Sequence, residues 1–296
     1  MDKPDLTSFN FLFSDEIVST RLNEISSRSA SLLTPAILKD IFSFIDMTSL
    51  NTGDNDLVIR SMCEKVNQFG NNYPGYKNVA AICVYPSMVE YVKTFLKQAD
   101  VSIASVAGGF PSSQTFPEIK TKEAELAVQR GANEIDIVIS AGEFLKGNYD
   151  FVFKEIKAIR ETIPNAHLKV ILETGLLKSF KNIYEASIIS MQAGANFIKT
   201  STGKMDPAAT PEALMVMCLA VADYYKATGK KTGIKPAGGI SNSEQAIIYY
   251  AIVREILGNS WLMPALFRIG ASRLANNLLN DIHRLSTGEE SGKKYF

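Results

Sequence analysis

Lys199 and Lys235 each close a short apolar, strand-like segment, Asn196-Phe197-Ile198-Lys199 and Thr232-Gly233-Ile234-Lys235. Both segments run on into small residues, Thr200-Ser201-Thr202-Gly203 after the first and Pro236-Ala237-Gly238-Gly239 after the second. Desolvation disfavours a buried ammonium. A lysine in such a place is paired, snorkels from a strand end, or is held partly neutral. A neutral amine is a nucleophile towards carbonyls, and a Schiff base is its main covalent product. If the two segments are neighbouring strands, each ammonium disfavours protonation of the other, which leaves one amine neutral near neutral pH. That amine can attack an aldehyde or ketone and form an iminium, which stabilises the carbanion left when a C–C bond breaks. Asp136, within Ile135-Asp136-Ile137-Val138-Ile139, can move protons between the carbinolamine hydroxyl, water and the substrate. The pattern leaves open which lysine is covalent.

A second group of residues suits a phosphate. Gly203 and Lys204 follow the first lysine segment, Gly238 and Gly239 follow the second, and Gly270-Ala271-Ser272 comes after Leu266-Phe267-Arg268-Ile269. Backbone N–H donors, hydroxyls and a cation are what a phosphate oxygen needs. Glycine lets the backbone approach the anion closely.

The elements that must position these residues alternate along the chain. Strand-like runs are expected at 41–46, 79–84, 101–106, 134–139, 168–172, 196–199, 232–235 and 266–269. Helical spacing lies between them, as at Leu57–Phe69, Pro117–Arg130, Tyr149–Thr162 and Pro211–Thr228. Roughly eight βα units match a closed parallel (β/α)8 TIM barrel, and near-continuous apolar strands agree with a sheet covered on both faces. A doubly wound open sheet would need a Gly-rich turn after its first strand, where the chain has Asp46-Met47-Thr48-Ser49. In a barrel the active site lies at the C-terminal strand ends, which adds Asp46, Thr48 and Cys83 to the candidates. A Ser-rich extension over residues 1–38 is expected to carry a capping helix near Asp15 to Ser27, behind a disordered beginning. The barrel is placed at 39–285, and a flexible tail at 286–296.

Bulk properties narrow the classes. The 296 residues carry 31 Lys+Arg against 31 Asp+Glu, so no global field favours nucleic acid or an anionic membrane. No apolar run is long enough to span a bilayer, and the N-terminus lacks a signal-peptide pattern. Three cysteines without CxxC spacing fit a reducing cytosol. The two histidines, His167 and His283, are far apart, which argues against His-ligated zinc chemistry and, with no GxSxG elbow, against a serine hydrolase.

At this point the sequence resembles the deoxyribose-phosphate aldolases. The resemblance runs from Ile45-Asp46-Met47-Thr48 through Ala81-Ile82-Cys83-Val84-Tyr85-Pro86, Ala107-Gly108-Gly109-Phe110-Pro111 and Gly131-Ala132-Asn133-Glu134-Ile135-Asp136. It continues through Phe197-Ile198-Lys199-Thr200-Ser201-Thr202-Gly203 and Gly233-Ile234-Lys235-Pro236-Ala237-Gly238-Gly239 to Arg268-Ile269-Gly270-Ala271-Ser272. It implies a class I, Schiff-base carbon–carbon lyase needing no metal and no cofactor. Such an enzyme cleaves 2-deoxy-D-ribose 5-phosphate reversibly to acetaldehyde and D-glyceraldehyde 3-phosphate, in deoxyribonucleoside catabolism in the cytoplasm. By the same resemblance Lys199 matches the Schiff-base lysine, Lys235 the lysine that depresses its pKa, and Asp136 the proton relay. Asp46, Thr48, Cys83 and Thr202 match substrate-binding positions, and Gly203, Lys204, Gly238, Gly239, Gly270 and Ser272 the phosphate-binding ones. A homodimer is expected from the family.

Two departures stand out. Many family members have an arginine where this chain has Ser241 after Gly238-Gly239-Ile240. A tail tyrosine assists proton transfer in well-studied members, and here Tyr295 is penultimate rather than last, so a shuttle role and a solvated tail are both open readings. Two other functions compete: another Schiff-base barrel enzyme such as a transaldolase or keto-acid lyase, and a catalytically weak barrel acting as a scaffold or regulatory binder.

Overall fold

A computed structural model describes residues 3–296. The chain enters through α1 (Asp15–Ser29) and α2 (Pro35–Ser43), then β1 (Ile45–Thr48), α3 (Asp56–Asn72), β2 (Ala81–Val84), α4 (Val89–Phe95) and β3 (Ser102–Ala107). It continues with α5 (Pro117–Gln129), β4 (Glu134–Val138), α6 (Ala141–Leu145), α7 (Tyr149–Thr162), β5 (His167–Ile171), α8 (Thr174–Leu177) and α9 (Phe180–Gln192). The last elements are β6 (Phe197–Lys199), α10 (Pro211–Thr228), β7 (Gly233–Lys235), α11 (Ser243–Leu257), β8 (Ile269–Ala271) and α12 (Leu274–Thr287).

All eight strands are parallel, in the order β7-β6-β5-β4-β3-β2-β1-β8. The bridges Ile234↔Phe267 and Ala237↔Gly270 bring β7 to β8 and nearly close the sheet into a barrel. This is the expected (β/α)8 architecture, and the open doubly wound sheet is ruled out. Among the described residues no helix is long and apolar enough to cross a membrane.

The first strand is shorter than expected. Ile41, Phe42 and Ser43 belong to α2, which starts with Pro35 in its first turn and is capped by Thr34 accepting from the Ile37 amide. Proline costs nothing there, because its missing N–H would have no partner in the helix. The eighth strand starts later than expected, at Ile269. The boundary expected at residue 38 falls inside α2.

Neither end trails free among the described residues. Gln192 ties the backbone of Asp5 through two hydrogen bonds. Phe9 stacks on Tyr224 and Phe11 lies against Tyr184, so the strip before α1 is fastened to α9 and α10. At the other end Asn276 holds the amides of Tyr295 and Phe296 and donates to the Phe296 carbonyl. Phe296 packs on Phe42 and Phe69, and Tyr295 on Phe69 and Tyr73. Aromatic pairs of this kind add about 0.5–1.5 kcal/mol each beyond their buried area. The tail is therefore pinned to α3 and α12.

Candidate active site

In β-strands residues two apart share a face, so inward positions of this barrel can be followed strand by strand. Asp46 on β1, Glu134 and Asp136 on β4, Lys169 on β5, Lys199 on β6 and Lys235 on β7 are all buried. Arg268, also buried, enters from just before β8. On the β2–β3 side the filling is small and apolar: Ala81, Cys83, Ala104 and Val106, with Leu50. One side of the barrel interior is thus charged and the other apolar.

The charged groups form a closed alternating ring. Asp136 Oδ2 accepts from Lys235 Nζ at 2.9 Å, and Lys235 Nζ meets Asp46 Oδ2 at 2.5 Å. Asp46 Oδ1 accepts from Arg268 Nη1 at 2.6 Å, and Arg268 Nη2 donates to Glu134 Oε1 at 2.8 Å. Glu134 Oε2 accepts from Lys169 Nζ, which reaches back to Asp136 Oδ1 at 3.1 Å. Lys199 hangs on this ring by one bond, donating to Asp136 Oδ2 at 2.9 Å. That is the oxygen Lys235 already uses. β6–β7 pairing sets Lys199 directly opposite Lys235.

This arrangement separates the two lysines electrostatically. Burial pulls Lys199 down, Asp136 opposes, and Lys235 adds to the lowering, so its pKa lies below the ordinary lysine value. Burial acts on Lys235 too, but Asp136 and Asp46 outweigh it and hold that ammonium charged. Burial pushes the Asp136 carboxyl up, yet Lys169, Lys199 and Lys235 together keep it well below the usual carboxylate range. Glu134 is held low against burial by Lys169, His167 and Arg268, and Asp46 by Lys235, Arg268 and Lys169.

A cavity of about 380 Å³ opens above the ring at the C-terminal strand ends. Of the three strand lysines only Lys199 lines it. Thr48, Thr202, Gly203, Lys204, Gly238, Gly239, Gly270 and Ser272 line it as well, so the expected phosphate residues come together on one wall. Gly203, Gly238 and Gly239 all adopt positive φ. At Gly238 an added Cβ would lie 2.8 Å from Ala208 Cβ and 3.0 Å from Gly203 Cα, whereas at Gly239 it would meet open space. Lys204 Nζ donates to the carbonyl of Leu50, another lining residue, at 2.5 Å. Behind Gly270, α12 begins at Leu274 and presents its N-terminal end, which favours anions. Ser241 lines the same wall.

Other expected residues sit elsewhere. Asp46 and Cys83 are fully buried beneath the cavity and do not line it; Asp46 is a ring member and Cys83 part of the apolar filling. Burial raises the Cys83 thiol above its ordinary value. The Tyr295 hydroxyl donates to the Lys65 carbonyl at 2.8 Å and accepts from Asn72. It is outside the cavity lining.

Four residues of the site were not among the candidates. Glu134, Lys169 and Arg268 belong to the ring, and Arg273 brings a second cation to the cavity lined by the expected phosphate residues. A signal existed for the first: Glu134 stands two residues before Asp136 and so shares its face. Glu173, a polar residue expected at the end of the fifth strand, lies two residues past β5 in a left-handed conformation and accepts from the Thr202 hydroxyl at 2.6 Å and its amide at 3.2 Å. Among the described residues no group of three or more His, Cys, Asp or Glu is arranged to hold a metal ion.

Comparison with known proteins agrees with this geometry. A human protein named deoxyribose-phosphate aldolase is 41% identical over 256 residues, covering 83% of this chain and 80% of its own length. A mouse protein of the same name is 40% identical over 261 residues, with the same shares of each chain. Among solved structures, one described as "QR15, an Aldolase" superposes with a TM-score of 0.68 at 29% identity, covering 84% of this chain and 99% of its own. The DeoC/LacD family aldolase model matches residues 42–252, from the end of α2 well into α11, and the chain belongs to that aldolase family.

Proposed function

We propose that this chain is a deoxyribose-phosphate aldolase working through a Schiff base on Lys199. The observation that carries the reading is that Lys199 alone of the three strand lysines faces the cavity, while Lys235 stands behind it on the same Asp136 oxygen. Lys199 Nζ attacks the C1 aldehyde of open-chain 2-deoxyribose 5-phosphate, and the carbinolamine loses its hydroxyl as water to give an iminium. The C3 hydroxyl gives up its proton and the C2–C3 bond breaks. Its electron pair moves into the iminium to form an enamine, and glyceraldehyde 3-phosphate leaves as the aldehyde. C2 then takes a proton to become a methyl group, and water hydrolyses the iminium to acetaldehyde and free Lys199.

Each ring neighbour has a part in this scheme. Asp136, held ionised, accepts and returns the protons of carbinolamine formation and dehydration. Lys235, held charged, disfavours protonation of Lys199. Thr48 and Thr202 contact the sugar, while Gly203, Lys204, Gly238, Gly239, Gly270, Ser272 and Arg273 receive the phosphate. Support for the substrate comes from the named relatives and from a cavity that Lys199 shares with two further cations, Lys204 and Arg273, and with the glycine turns at Gly203, Gly238 and Gly239. The scheme requires no metal or cofactor. A scaffold role is not favoured, since a scaffold has no need of buried charges, each costly unless paired. Three free cysteines support a cytosolic place in deoxyribonucleoside breakdown, and a homodimer is proposed with it. The test is release of acetaldehyde and glyceraldehyde 3-phosphate from 2-deoxyribose 5-phosphate. Both products should appear with wild type and vanish in Lys199→Ala; their absence with folded wild type overturns the reading.

A further inference from the structure

We infer that Arg268 and Glu134, neither of which touches the cavity, are positioning residues that set the proton affinity of Lys199 by balancing the charge of the ring beneath it. The inference rests on the Schiff-base role proposed above for Lys199 and deepens it.

The ring contains three carboxylates, Asp46, Glu134 and Asp136, and three cations, Lys169, Lys235 and Arg268, in strict alternation. With all six ionised it is electrically neutral. Every carboxylate is contacted by at least two ring cations, and every ring cation by at least two carboxylates. Lys199 is the seventh group and has no countercharge of its own. Its proton would leave the buried cluster with one uncompensated positive charge, which is the costly condition for an interior. Losing that proton leaves the cluster neutral.

Arg268 is suited to this duty because its guanidinium stays charged at every working pH. Its two Nη atoms are divided between Asp46 and Glu134, and its Nε donates to the Pro264 carbonyl. It thereby satisfies half of the charge of two carboxylates that would otherwise turn to the lysines. Glu134 in turn occupies Lys169, which meets Asp136 only through the oxygen Lys199 does not use. The groups facing Lys199 directly are Asp136, Lys235 and Cys83, and behind them stand Lys169, Asp46, Glu134 and Arg268.

The inference makes a signed claim that a merely structural role does not. Removing the Arg268 charge leaves the ring one negative charge in excess, so Lys199 holds its proton more tightly. Removing the Glu134 charge has the opposite effect. The measurement is the pH midpoint for borohydride trapping of acetaldehyde on Lys199, followed by intact-protein mass. Arg268→Met should move the midpoint up by about one pH unit or more, since each unit is a tenfold change in free amine. Glu134→Gln, which keeps its shape, should move it down. The double variant should return it near the wild-type value, and Arg268→Lys should leave it in place.

Midpoints that stay put, or that move the same way in both single variants, overturn the inference. Should Arg268→Met not fold, Glu134→Gln decides alone by the sign of its shift. Trapping on Lys199 with unmoved midpoints defeats this inference and leaves the Schiff-base reading standing. No trapping in folded wild type defeats both.

Discussion

Lys199 and Lys235 face each other across the β6–β7 ladder and donate to the same atom, Asp136 Oδ2, at 2.9 Å each. One carboxylate oxygen shared by two ammonium groups satisfies neither fully. The tie is broken by Asp46, which sits 2.5 Å from Lys235 and keeps that lysine charged. Lys199, with no second carboxylate among its ion pairs and the cavity above it, has its pKa pulled below the ordinary lysine value by burial and by Lys235.

Replacing Lys235 with methionine should therefore disable the enzyme without touching substrate. Lys199 loses the neighbouring charge and stays protonated, and turnover at neutral pH should fall by about 10²–10⁴-fold, the usual worth of such acid–base tuning. Raising the pH should recover part of the loss. Steady-state rates measured across pH check this, and a loss that is equal at every pH would contradict it.

Gly238 should be unreplaceable on the phosphate wall. Its φ of +84° and the 2.8 Å approach of Ala208 Cβ leave a side chain no room. Gly238→Ala should raise KM for 2-deoxyribose 5-phosphate by about tenfold or more, as a shift of roughly 1.4 kcal/mol implies. Cleavage of unphosphorylated 2-deoxyribose should be nearly unchanged. Comparing the two substrates separates phosphate binding from general damage.

Arg273 should carry part of the phosphate charge in a chain with Ser241 on the same wall. Arg273→Ala should weaken binding of the phosphorylated substrate by about tenfold, within the range for a charge-assisted hydrogen bond. The effect should shrink in high salt. Substrate KM at low and high ionic strength is the check.

The docked tail predicts a stability effect. Tyr295→Phe removes the hydroxyl bonds to the Lys65 carbonyl and Asn72, which should cost about 1 kcal/mol. Exchange of solvent deuterium into the acetaldehyde methyl should be unchanged, because the hydroxyl lies outside the cavity. Denaturant melts and exchange rates measured side by side distinguish this from a shuttle role.

Acid stability follows from the ring. Asp46, Glu134 and Asp136 all have folded pKa values below their ordinary ones. Between the folded and unfolded values the unfolded chain binds more protons, so stability rises with pH there. The ring's contribution should be complete above about pH 5, the top of the ordinary carboxylate range, and lost as pH falls through the folded values. Lys199 acts with the same sign in a higher range: its depressed value costs stability below that value, and the cost is relieved as pH rises towards the ordinary lysine range. Urea melts across pH check both ranges.

The sequence made the chemistry more legible than the scaffold around it. Lys199, Lys235 and Asp136 stood out because a charged residue inside an apolar strand is conspicuous in one dimension. Lys169 was not, because Leu168-Lys169-Val170 reads like any strand with one face wet, and only pairing with Asp136 across β4–β5 shows it points inward. Arg268 belongs to a pre-strand turn, and its partners lie 222 and 134 residues away. Ile41 to Ser43 read as strand since a short apolar run carries no period of its own. Thr34-Pro35, the cap and first-turn proline of α2, is the sequence signal for a helix at this point. The docking of Tyr295 and Phe296 depends on Phe42, Phe69 and Tyr73, which only tertiary packing brings together.

The central claim, that Lys199 is the covalent amine, is tested most directly by adding borohydride to the protein with 2-deoxyribose 5-phosphate and mapping the reduced adduct by peptide mass spectrometry. The account predicts a single stable adduct on Lys199, absent in Lys199→Ala. An adduct on Lys235 instead would contradict it and reverse the two roles.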